Sequence, residues 1–270
     1  MVEITEKYKI GVRRFGLINW TGAWTLYKKE VLRFLIVWIQ TIFSPLISSL
    51  LFLLVLSLAI GDDRGSVLGV SFISFLAPGL IAMQIIQQSF SHSSSSFMIG
   101  KIQGNIVDIL YAPLSPAEIT VATTLAAVTR SVMIAIISII IFYFLVDLEI
   151  KNYLTLVIFT FLSSFALGAL GVIAGLWAEK FDHMATVTNF IIVPLSFLSG
   201  TFYSIERLPE FLQTIIKLNP FFYMIDGFRY AFIGRTDGYL LVGIMVLLGC
   251  NLVLWLLVHW MFSSGYKLKE

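Results

Sequence analysis

Cysteine, charged residues and catalytic signatures are all scarce in this sequence. Cys250 is the only cysteine in 270 residues and lies in an apolar run, which excludes an intramolecular disulfide and a multi-cysteine metal site. Charged residues make up only 13% of the chain, whereas a soluble domain has about 25%. The net charge is only +2 at pH 7 and the basic residues cluster near the N-terminus, so we expect no nucleic-acid partner.

Signatures of ATP hydrolysis and metal catalysis are also missing. Gly100-Lys101 lacks the upstream glycine and the following Ser or Thr of a phosphate-binding loop, so this chain cannot hydrolyse ATP by that route. The three histidines fall on different segments and form no HExxH pattern. The serine-rich stretch Ser91–Ser96 has no nucleophile elbow or acid partner, and we interpret it as small-residue helix packing. We therefore expect no catalytic residue, no metal site and no cofactor bound by this chain.

Apolar runs dominate the chain instead, since 58% of the residues are hydrophobic and the mean hydropathy is +0.92. A helix that spans a bilayer needs about 20 apolar residues. Six runs are long enough: Phe34–Ile60, Leu68–Gln88, Ile119–Val146, Tyr153–Trp177, Val187–Tyr203 and Tyr239–Phe262. The sequence thus predicts an all-α integral membrane protein with six transmembrane helices. Because the first run begins only after Arg33, we expect no cleavable signal peptide, and we expect the first span to direct insertion.

The distribution of Lys and Arg predicts the orientation. Basic residues flank the first span on its N-terminal side: Lys7, Lys9, Arg13, Arg14, Lys28, Lys29 and Arg33. Lys267 and Lys269 follow the last span, whereas the loops Gly61–Val67 and Asp147–Asn152 carry one basic residue each among acidic ones. By the positive-inside rule we expect both termini to be cytoplasmic, in a multi-pass membrane protein.

An amphipathic helix is expected before the first span. Its apolar positions recur at three- and four-residue steps: Leu17, Trp20, Trp24, Tyr27 and Val31. The other side carries Thr21, Thr25, Lys28 and Lys29. This pattern predicts a helix that lies in the membrane interface, with its tryptophans at headgroup depth. A simple extension of the first span is the alternative interpretation.

The connection between spans two and three carries the signals of a short helix. Asn105 is expected to cap its N-terminus, and Asp108 falls at the third helical position, near the positive helix end. Ala112-Pro113 stops this helix. The sequence Ser115-Pro116-Ala117-Glu118 is a capping box with proline at the first helical position, so we expect the third span to begin well inside the cytoplasm.

Two further short helices are expected between spans five and six. The first has one apolar face: Leu208, Phe211, Leu212, Ile215 and Ile216. It ends at Asn219-Pro220 and is too short to span a bilayer, so it lies at the outer surface or re-enters. The second, from Pro220 to Gly234, is rich in aromatic residues and carries Asp226 and Arg229 one turn apart. The sequence predicts an apolar, helical cap on the outer face.

Several features inside the spans invite a functional or a purely structural interpretation. Arg130 lies about ten residues into the third apolar run, where it is either a functional intramembrane charge or snorkels to the headgroups. Pro45 and Pro194 interrupt spans one and five, as shape elements or as gating pivots. Gly171 and Gly175 have the GxxxG spacing, which indicates close helix packing.

Four stretches together carry a family resemblance: Phe75–Leu80, Asn105–Ser115, Leu198–Ser204 with Leu208-Pro209, and Leu218–Tyr230. Their order and spacing resemble the ABC-2 family of export permeases, in particular its small six-span bacterial members of the multidrug and polysaccharide-export types. The resemblance runs from about Trp20 to the C-terminus, and the first dozen or so residues resemble nothing in the family.

The resemblance implies a set of partners and sites. Two permease subunits, here expected as a homodimer, pair with two cytoplasmic ABC ATPase subunits that bind the ATP and Mg²⁺. The short helix between spans two and three, at about residues 101–111, would be the coupling helix that docks on the ATPase. Its expected contacts are Lys101, Asn105, Asp108 and Tyr111. The amphipathic segment before span one resembles the family's connecting helix.

The resemblance also implies an extracellular gate built from the helices Pro209–Lys217 and Pro220–Ile233. Its expected residues are Phe202, Tyr203, Glu206, Phe211, Asp226 and Arg229. The implied organisation is a cytoplasmic N-terminus with the connecting helix (1–32), a six-helix transmembrane domain (33–262) whose gate helices occupy about 207–234, and a cytoplasmic tail (263–270).

The function implied is outward transport of an amphiphilic or hydrophobic substrate such as a drug, a lipid or a lipid-linked glycan. We expect spans one, two and five to line its pathway. An ion-driven secondary transporter is the main alternative, and it would need acidic or histidine residues at membrane depth, which are scarce in the spans. A membrane enzyme acting on lipid is disfavoured, because no paired carboxylates, metal ligands or nucleophile–base set can be assembled.

Overall fold

The computed structural model describes residues 18–60, 66–146 and 148–267, which form a helical bundle with one short β-hairpin. Within these ranges the α-helices are α1 (Trp20–Ile36), α2 (Ser44–Ile60), α3 (Phe72–Ile102), α4 (Ile106–Tyr111), α5 (Pro116–Val146), α6 (Tyr153–Trp177), α7 (Phe181–Val187), α8 (Val193–Leu198), α9 (Glu210–Leu218), α10 (Pro220–Ile233) and α11 (Leu240–Ser264). Strands β1 (Ser66–Val67) and β2 (Val70–Ser71) pair antiparallel. A 3₁₀ turn, Ile205–Arg207, precedes α9.

In the described ranges, six helical segments are long and apolar enough to cross a membrane. They are Ile39–Ala59, Phe72–Ile102, Pro116–Val146, Tyr153–Trp177, Phe181–Leu198 and Leu240–Ser264. The predicted all-α, multi-pass membrane fold is therefore confirmed. Which side of the membrane each end faces stays a prediction.

Two spans differ from their predicted bounds. Residues Phe34–Ile36, which were expected in span one, belong to α1, because the helix is interrupted at Val37 (φ −109°, ψ 36°) and the span begins at Ile39. The amphipathic segment is thus a helix of its own and not a simple extension of the span. The second span continues past Gln88 to Ile102, because its serine-rich stretch packs against α6.

Helix α3 packs closely against the glycines of α6. A Cβ atom added to Gly171 would lie 2.5 Å from the carbonyl oxygen of Phe90, and one added to Gly175 would lie 2.8 Å from that of Ser94. Ser93 also faces Gly171. Small residues on both helices let the two backbones approach this closely. The packing interpretations of the glycine spacing and of the serine stretch are both confirmed.

Local caps fix where several helices begin. In the predicted capping box, the backbone N–H of Ser115 donates to Glu118 Oε2 (2.6 Å), and that of Glu118 donates to Ser115 Oγ (3.3 Å). Asn152 caps the start of α6, because its Oδ1 accepts from the backbone N–H of Thr155 (3.0 Å). Asn219 ends α9 and caps α10, with its Oδ1 accepting from Phe221 N (3.1 Å). Each cap satisfies a backbone donor that the helix itself leaves free.

Pro45 and Pro194 each follow a π-helical turn. The turns Ile39–Phe43 and Thr188–Ile192 are each five residues long, and Pro45 and Pro194 come two residues after them. Proline has no N–H to donate, and its ring crowds the carbonyl group four residues earlier, so a wider turn relieves the mismatch. An irregular turn therefore lies at both predicted positions, and its use as a gating pivot stays a prediction.

The bundle has two ends, defined by contacts between helix termini. At the terminal end, the starts of α1 and α5 meet through Asn19 and Glu118, and Lys267 after α11 pairs with Glu179 after α6 (2.6 Å). The opposite, distal end holds the starts of α3, α6 and α11 together with α9 and α10. Several residues behind the orientation prediction lie outside the described ranges: Lys7, Lys9, Arg13, Arg14, Asp62, Asp63, Arg64, Asp147 and Lys269.

Candidate functional site

At the terminal end, Asn19 holds the start of α1 against the loop between α4 and α5. Its backbone N–H donates to Glu118 Oε1 (2.6 Å), and its Nδ2 donates to the carbonyl oxygen of Pro113 (3.0 Å). Its Oδ1 accepts from Gly22 N (2.9 Å) and so caps α1. Glu118 uses one carboxylate oxygen for its capping box and the other for Asn19. The first turns of α1 and α5 are therefore fixed to each other, with α4 beside them.

The short helix α4 is mostly exposed. Only Ile106 of its six residues is buried. Asp108 is exposed, as is Asn105 just before the helix, and Tyr111 is 87% exposed. These three predicted contact residues therefore share an accessible surface at the terminal end, and Asp108 lies in the first helical turn as expected.

Two details of the predicted coupling segment are wrong. The segment 101–111 is not one helix, because Gly104 adopts a left-handed turn (φ +74°) and α4 begins only at Ile106. Asn105 occupies the N-cap position but makes no side-chain cap, because its backbone is helical (φ −77°, ψ −7°). Capping requires an extended backbone at that residue. Its Nδ2 donates instead to Gln103 Oε1 (3.2 Å).

Lys101 belongs to α3, whereas the other three predicted contact residues lie in α4 or next to it. It occupies the last turn of α3, and its Nζ donates to the carbonyl oxygens of Leu176 and Ala178, the latter at 3.0 Å. These carbonyls close the C-terminus of α6, where a cation is favourable. Lys101 thus joins two spanning helices, and the exposed surface of α4 is formed without it.

A cleft of ≈ 380 Å³ separates α1 from α4. Thr25 and Lys29 line it from α1, and Asp108, Ile109 and Leu114 line it from α4 and the following loop. It is largely apolar, with one basic and one acidic side chain. Such a cleft between two anchored helices is suited to receive a side chain of a docking protein.

The buried face of α1 differs from its predicted apolar face. Leu26, Glu30 and Phe34 are buried, at steps of four residues, whereas Trp20 and Trp24 are exposed. The exposed tryptophans remain available for a membrane interface, and their depth stays a prediction. Contact with α5 selects the buried face.

At the distal end, Arg229 brings together three of the stretches that carry the family resemblance. It is only 1% exposed, and its Nη2 donates to the carbonyl oxygens of Gly200 (2.7 Å) and Thr201 (3.1 Å). Its guanidinium lies over the ring of Phe75, with the carbon 3.9 Å from the centroid. A Cβ on Gly79 would lie 2.7 Å from both Arg229 Nη2 and Thr201 O, so only glycine leaves room for this contact.

Asp226, one turn before Arg229 in α10, fixes the loop that leads to α11. Its carboxylate accepts from Thr236 Oγ1, from Asp237 N (3.0 Å) and from Gly238 N (3.1 Å). Burial raises the pKa of Asp226 above its ordinary value, although these donors favour the ionised form. Burial lowers the pKa of Arg229 to about 10, so it stays cationic at neutral pH. The two charged residues therefore anchor α10 to two different segments.

The remaining predicted gate residues do not form one cluster with these two. The ring of Phe202 stacks on Phe197 (5.2 Å between centroids), and the Tyr203 hydroxyl donates to a carbonyl oxygen of α8 (2.7 Å). Glu206 is exposed in the 3₁₀ turn, and Phe211 on α9 is 65% exposed. Asp226 and Arg229 are thus buried, Phe202 and Tyr203 are half-buried, and Glu206 and Phe211 are exposed.

The helix α9 is amphipathic as predicted, whereas α10 differs from the expected amphipathic helix. Of the expected apolar face of α9, only Ile216 is buried, while Phe211 and Ile215 are exposed. The helix α10 is buried on most sides, because it packs against α3, α6 and α11. It is therefore a core helix and not an amphipathic one.

A cluster of titratable residues, buried or partly buried, joins α1, α3 and α5. Glu30 is 1% exposed, and its Oε2 lies 2.9 Å from Arg33 Nε and 3.8 Å from His92 Nε2. Arg33 donates further to the carbonyl oxygen of His92 (2.8 Å) and to Ser95 Oγ (3.3 Å). In the described part of the chain, no three His, Cys, Asp or Glu side chains could hold a metal ion.

Arg130 lies at the edge of this cluster, within α5. Its Nη2 donates to Gln88 Oε1, and the residue is 7% exposed, so its guanidinium does not extend to an open surface. Sequence reasoning identified Arg130 but missed Glu30, Arg33 and His92 as its neighbours. The available signal was the position of Glu30, in line with the buried face of α1.

Comparisons with known proteins show which proteins this chain is similar to. The family model for the ABC-2 type transporter matches residues 21–233. The chain is 32% identical over 253 residues to the inner membrane transport permease YadH of Escherichia coli (strain K12). The aligned region covers 94% of this chain and 99% of that protein. It is 26% identical over 230 residues to Nodulation protein J of Rhizobium leguminosarum bv. viciae (82% of this chain, 84% of that protein). The family match contains α1 from its second residue onward and all of α4 and α10.

Proposed function

This chain belongs to the ABC-2 type transporter family, and we propose that it is the membrane subunit of an ATP-driven exporter of the bacterial inner membrane. ABC-2 permeases work with ABC ATPase subunits, and this chain is a transport subunit and not itself an enzyme. In the proposed complex two copies of the chain form a homodimer with two ATPase subunits, which bind the ATP and Mg²⁺. The observation that carries the proposal is the exposed helix α4 at the terminal end.

The docking surface consists of α4 and the neighbouring cleft. Asn105, Asp108 and Tyr111 offer an amide, a carboxylate and an aromatic ring to a partner, and a single buried residue anchors the helix. Polar and aromatic groups around a cleft suit a specific protein interface. In this proposal the terminal end faces the cytoplasm, and both chain termini are cytoplasmic.

Motion at α4 has a direct route into the spans. The bonds from Asn19 to Glu118 and Pro113 couple α1 and the α4–α5 loop to the first turn of α5. This helix then crosses to the distal end, and α1 leads through a π-helical turn into span one. In the proposed mechanism, closure of the ATPase pair pushes α4, and spans one and three move with it.

The distal end supplies the gate in this mechanism. Arg229 ties the segment after span five to the start of α3, and the exposed apolar face of α9 lies next to that junction along the chain. Movement of span five would therefore be transmitted to α10. The ring of Phe202 contacts Phe197 of span five and lies 6.0 Å from the ring of Phe52 on span one, measured between centroids. Movement of span five would therefore also shift Phe202.

The proposed substrate is an amphiphile, such as a hydrophobic drug, a lipid or a lipid-linked glycan. Spans one, five and six bury only a small share of their surface within one chain. Their apolar outer faces are free for lipid, for a second copy and for an apolar substrate. The proposed pathway lies between the two copies, along spans one, two and five.

Coupled ATP hydrolysis tests the proposal. The purified chain, reconstituted in lipid nanodiscs with its co-purifying ABC ATPase, is expected to hydrolyse ATP, and the double variant Asn105→Ala, Asp108→Ala is expected to lose most of that activity. Thr214→Ala, Lys217→Ala is the matched control, since both residues are exposed on the distal helix α9. Unchanged hydrolysis in the α4 variant would remove α4 as the docking site. Ion-driven transport by the chain alone, without ATP, would support the secondary-transporter alternative.

A further inference from the structure

The charges of Glu30 and Arg33 in α1 balance each other without Arg130. The Glu30 carboxylate pairs with the Arg33 guanidinium at 2.9 Å, and Arg33 is held in place by the carbonyl oxygen of His92. One acid and one base therefore form a closed pair. Buried ion pairs are stable when each charge has its partner and its hydrogen bonds.

Arg130 has no such partner among the described residues. Its one hydrogen bond goes to the neutral amide of Gln88, and its Nε is buried without an acceptor. The charged group that acts on Arg130 is Arg33, another cation. The Nε of Arg229 is likewise buried without an acceptor, but the carboxylates of Asp226 and Asp237 both act on that guanidinium. A buried cation inside a spanning helix, with only an amide to bind, lacks an anion.

The surroundings of Arg130 are polar on one side and apolar on the other. Gln88 and Ser91 lie three residues apart on one face of α3, and they are half-buried and exposed, respectively. Towards the distal end, Met133 and Ile134 follow Arg130 on the same face of α5 and pack against Ile42 and Leu46 of the first span. The buried guanidinium of Arg130 therefore lies between a polar face of α3, which is exposed at Ser91, and an apolar cluster.

We propose that Arg130, with Gln88 and Ser91, binds the anionic group of an amphiphile, a phosphate or a carboxylate whose apolar part lies along the α2–α5 face. The inference rests on the proposed transport function, and it narrows the substrate class to anionic amphiphiles. The guanidinium supplies charge and N–H donors, and Gln88 and Ser91 supply neutral donors to the same group. Because Arg130 lies within α5, the anion is recognised inside the leaflet and not from bulk water.

Lipid binding to the full complex tests the site. Native mass spectrometry of the complex with its ATPase would compare dihexanoylphosphatidylglycerol, dihexanoylphosphatidylcholine and inorganic phosphate. We expect the anionic lipid to bind with a Kd about tenfold below that of the zwitterionic lipid, and Arg130→Gln to remove that difference. Arg130→Lys, which keeps the charge, is expected to retain the preference in part. Arg235→Gln, an exposed distal arginine, is the matched control.

Each outcome separates one alternative. Equal affinity of the wild type for the two lipids, or an unchanged preference in a folded Arg130→Gln variant, would overturn the site. If Arg130→Gln does not fold, the same readout on Arg130→Lys and Gln88→Leu decides, and an undiminished preference in both overturns the site. If inorganic phosphate binds as tightly as the anionic lipid, the site recognises a free anion, and the proposal that its ligand is an amphiphile is overturned.

ATP hydrolysis distinguishes a transported amphiphile from a resident lipid. Stimulation of hydrolysis by the anionic lipid in the wild type, absent in Arg130→Gln, is the expected result. Binding without stimulation, in a complex that hydrolyses ATP, would make the ligand a resident lipid and overturn its assignment as substrate. A complex that hydrolyses no ATP would refute the proposed function, whereas the binding comparison would still decide the anion site.

Discussion

The guanidinium carbon of Arg229 lies 3.9 Å from the centre of the Phe75 ring. Phe75 begins the first stretch of the family resemblance, and Arg229 belongs to the last, so the contact joins the start of α3 to α10. The same guanidinium binds two backbone carbonyls of the segment after span five. The Arg229 side chain thus connects three segments of the distal end: the start of α3, the segment after span five, and α10.

Removal of Arg229 is therefore expected to destabilise the distal end. Arg229→Gln would leave the buried carbonyls of Gly200 and Thr201 without their donor and would lose the contact with Phe75, at a cost of about 3 kcal/mol. Thermal unfolding of the purified protein measures the effect as a fall in Tm. Arg235→Gln is the control, because Arg235 is exposed and donates one bond of 3.2 Å to Leu68 O. Equal Tm values for the two variants would contradict the prediction.

Gly227 is expected to tolerate no side chain. A Cβ at this position would lie 2.0 Å from the ring of Phe159, so Gly227→Ala must displace either the ring or α10. Overpacking of this kind costs about 1–3 kcal/mol. Phe159→Leu in the same chain should recover part of the loss, which a double-mutant cycle detects. Gly249→Ala, where the added Cβ meets no atom within 4 Å, should leave Tm unchanged. A Gly227→Ala protein as stable as Gly249→Ala would show that the contact is not tight.

Local sequence signals predicted much of the fold. The six spans follow from apolar length, and the capping box at Ser115 and Glu118 follows from spacing, because both depend on residues that are close in the chain. The predicted side-chain cap at Asn105 was wrong. The left-handed turn at Gly104 leaves Asn105 with a helical backbone, and the residue types do not reveal that conformation.

The site contacts depend on which helix faces meet, and periodicity does not give that information. Arg229 was identified as a gate residue, but its partners are backbone carbonyls of another segment, which carry no side-chain signature. Glu30 and His92 are 62 residues apart along the chain, and only the packing of α1 on α3 brings them together. A pattern shows that a charged residue lies on a buried face without showing its partner.

Asp226 predicts a pH dependence of stability. Burial raises the pKa of its carboxyl in the folded protein, so the folded state binds the proton more tightly than the unfolded state. The stability that this residue contributes is then fully present below the unfolded pKa, about 3.9, and falls as the pH rises through the folded value. Thermal unfolding of the wild type and of Asp226→Asn between about pH 4 and pH 7 measures it. The Tm of the wild type relative to the variant should decrease as the pH rises, and a relative Tm that increases instead would reverse the sign of the shift.

Glu118 is expected to determine the order of α1 as well as the start of α5. Glu118→Ala removes the capping box and also the acceptor of the Asn19 N–H, so the first turn of α1 loses one of its two connections to the α4–α5 loop. Losing these bonds should cost about 1–2 kcal/mol. The specific consequence is faster hydrogen exchange of the α1 amides at residues 20–24, measured by mass spectrometry. Ser71→Ala removes the cap of α3 at the opposite end and should accelerate exchange there while leaving α1 unchanged. Slow exchange in α1 of the Glu118→Ala variant would mean that α1 is held by its packing on α5 alone, and that a push on α4 does not pass through Asn19.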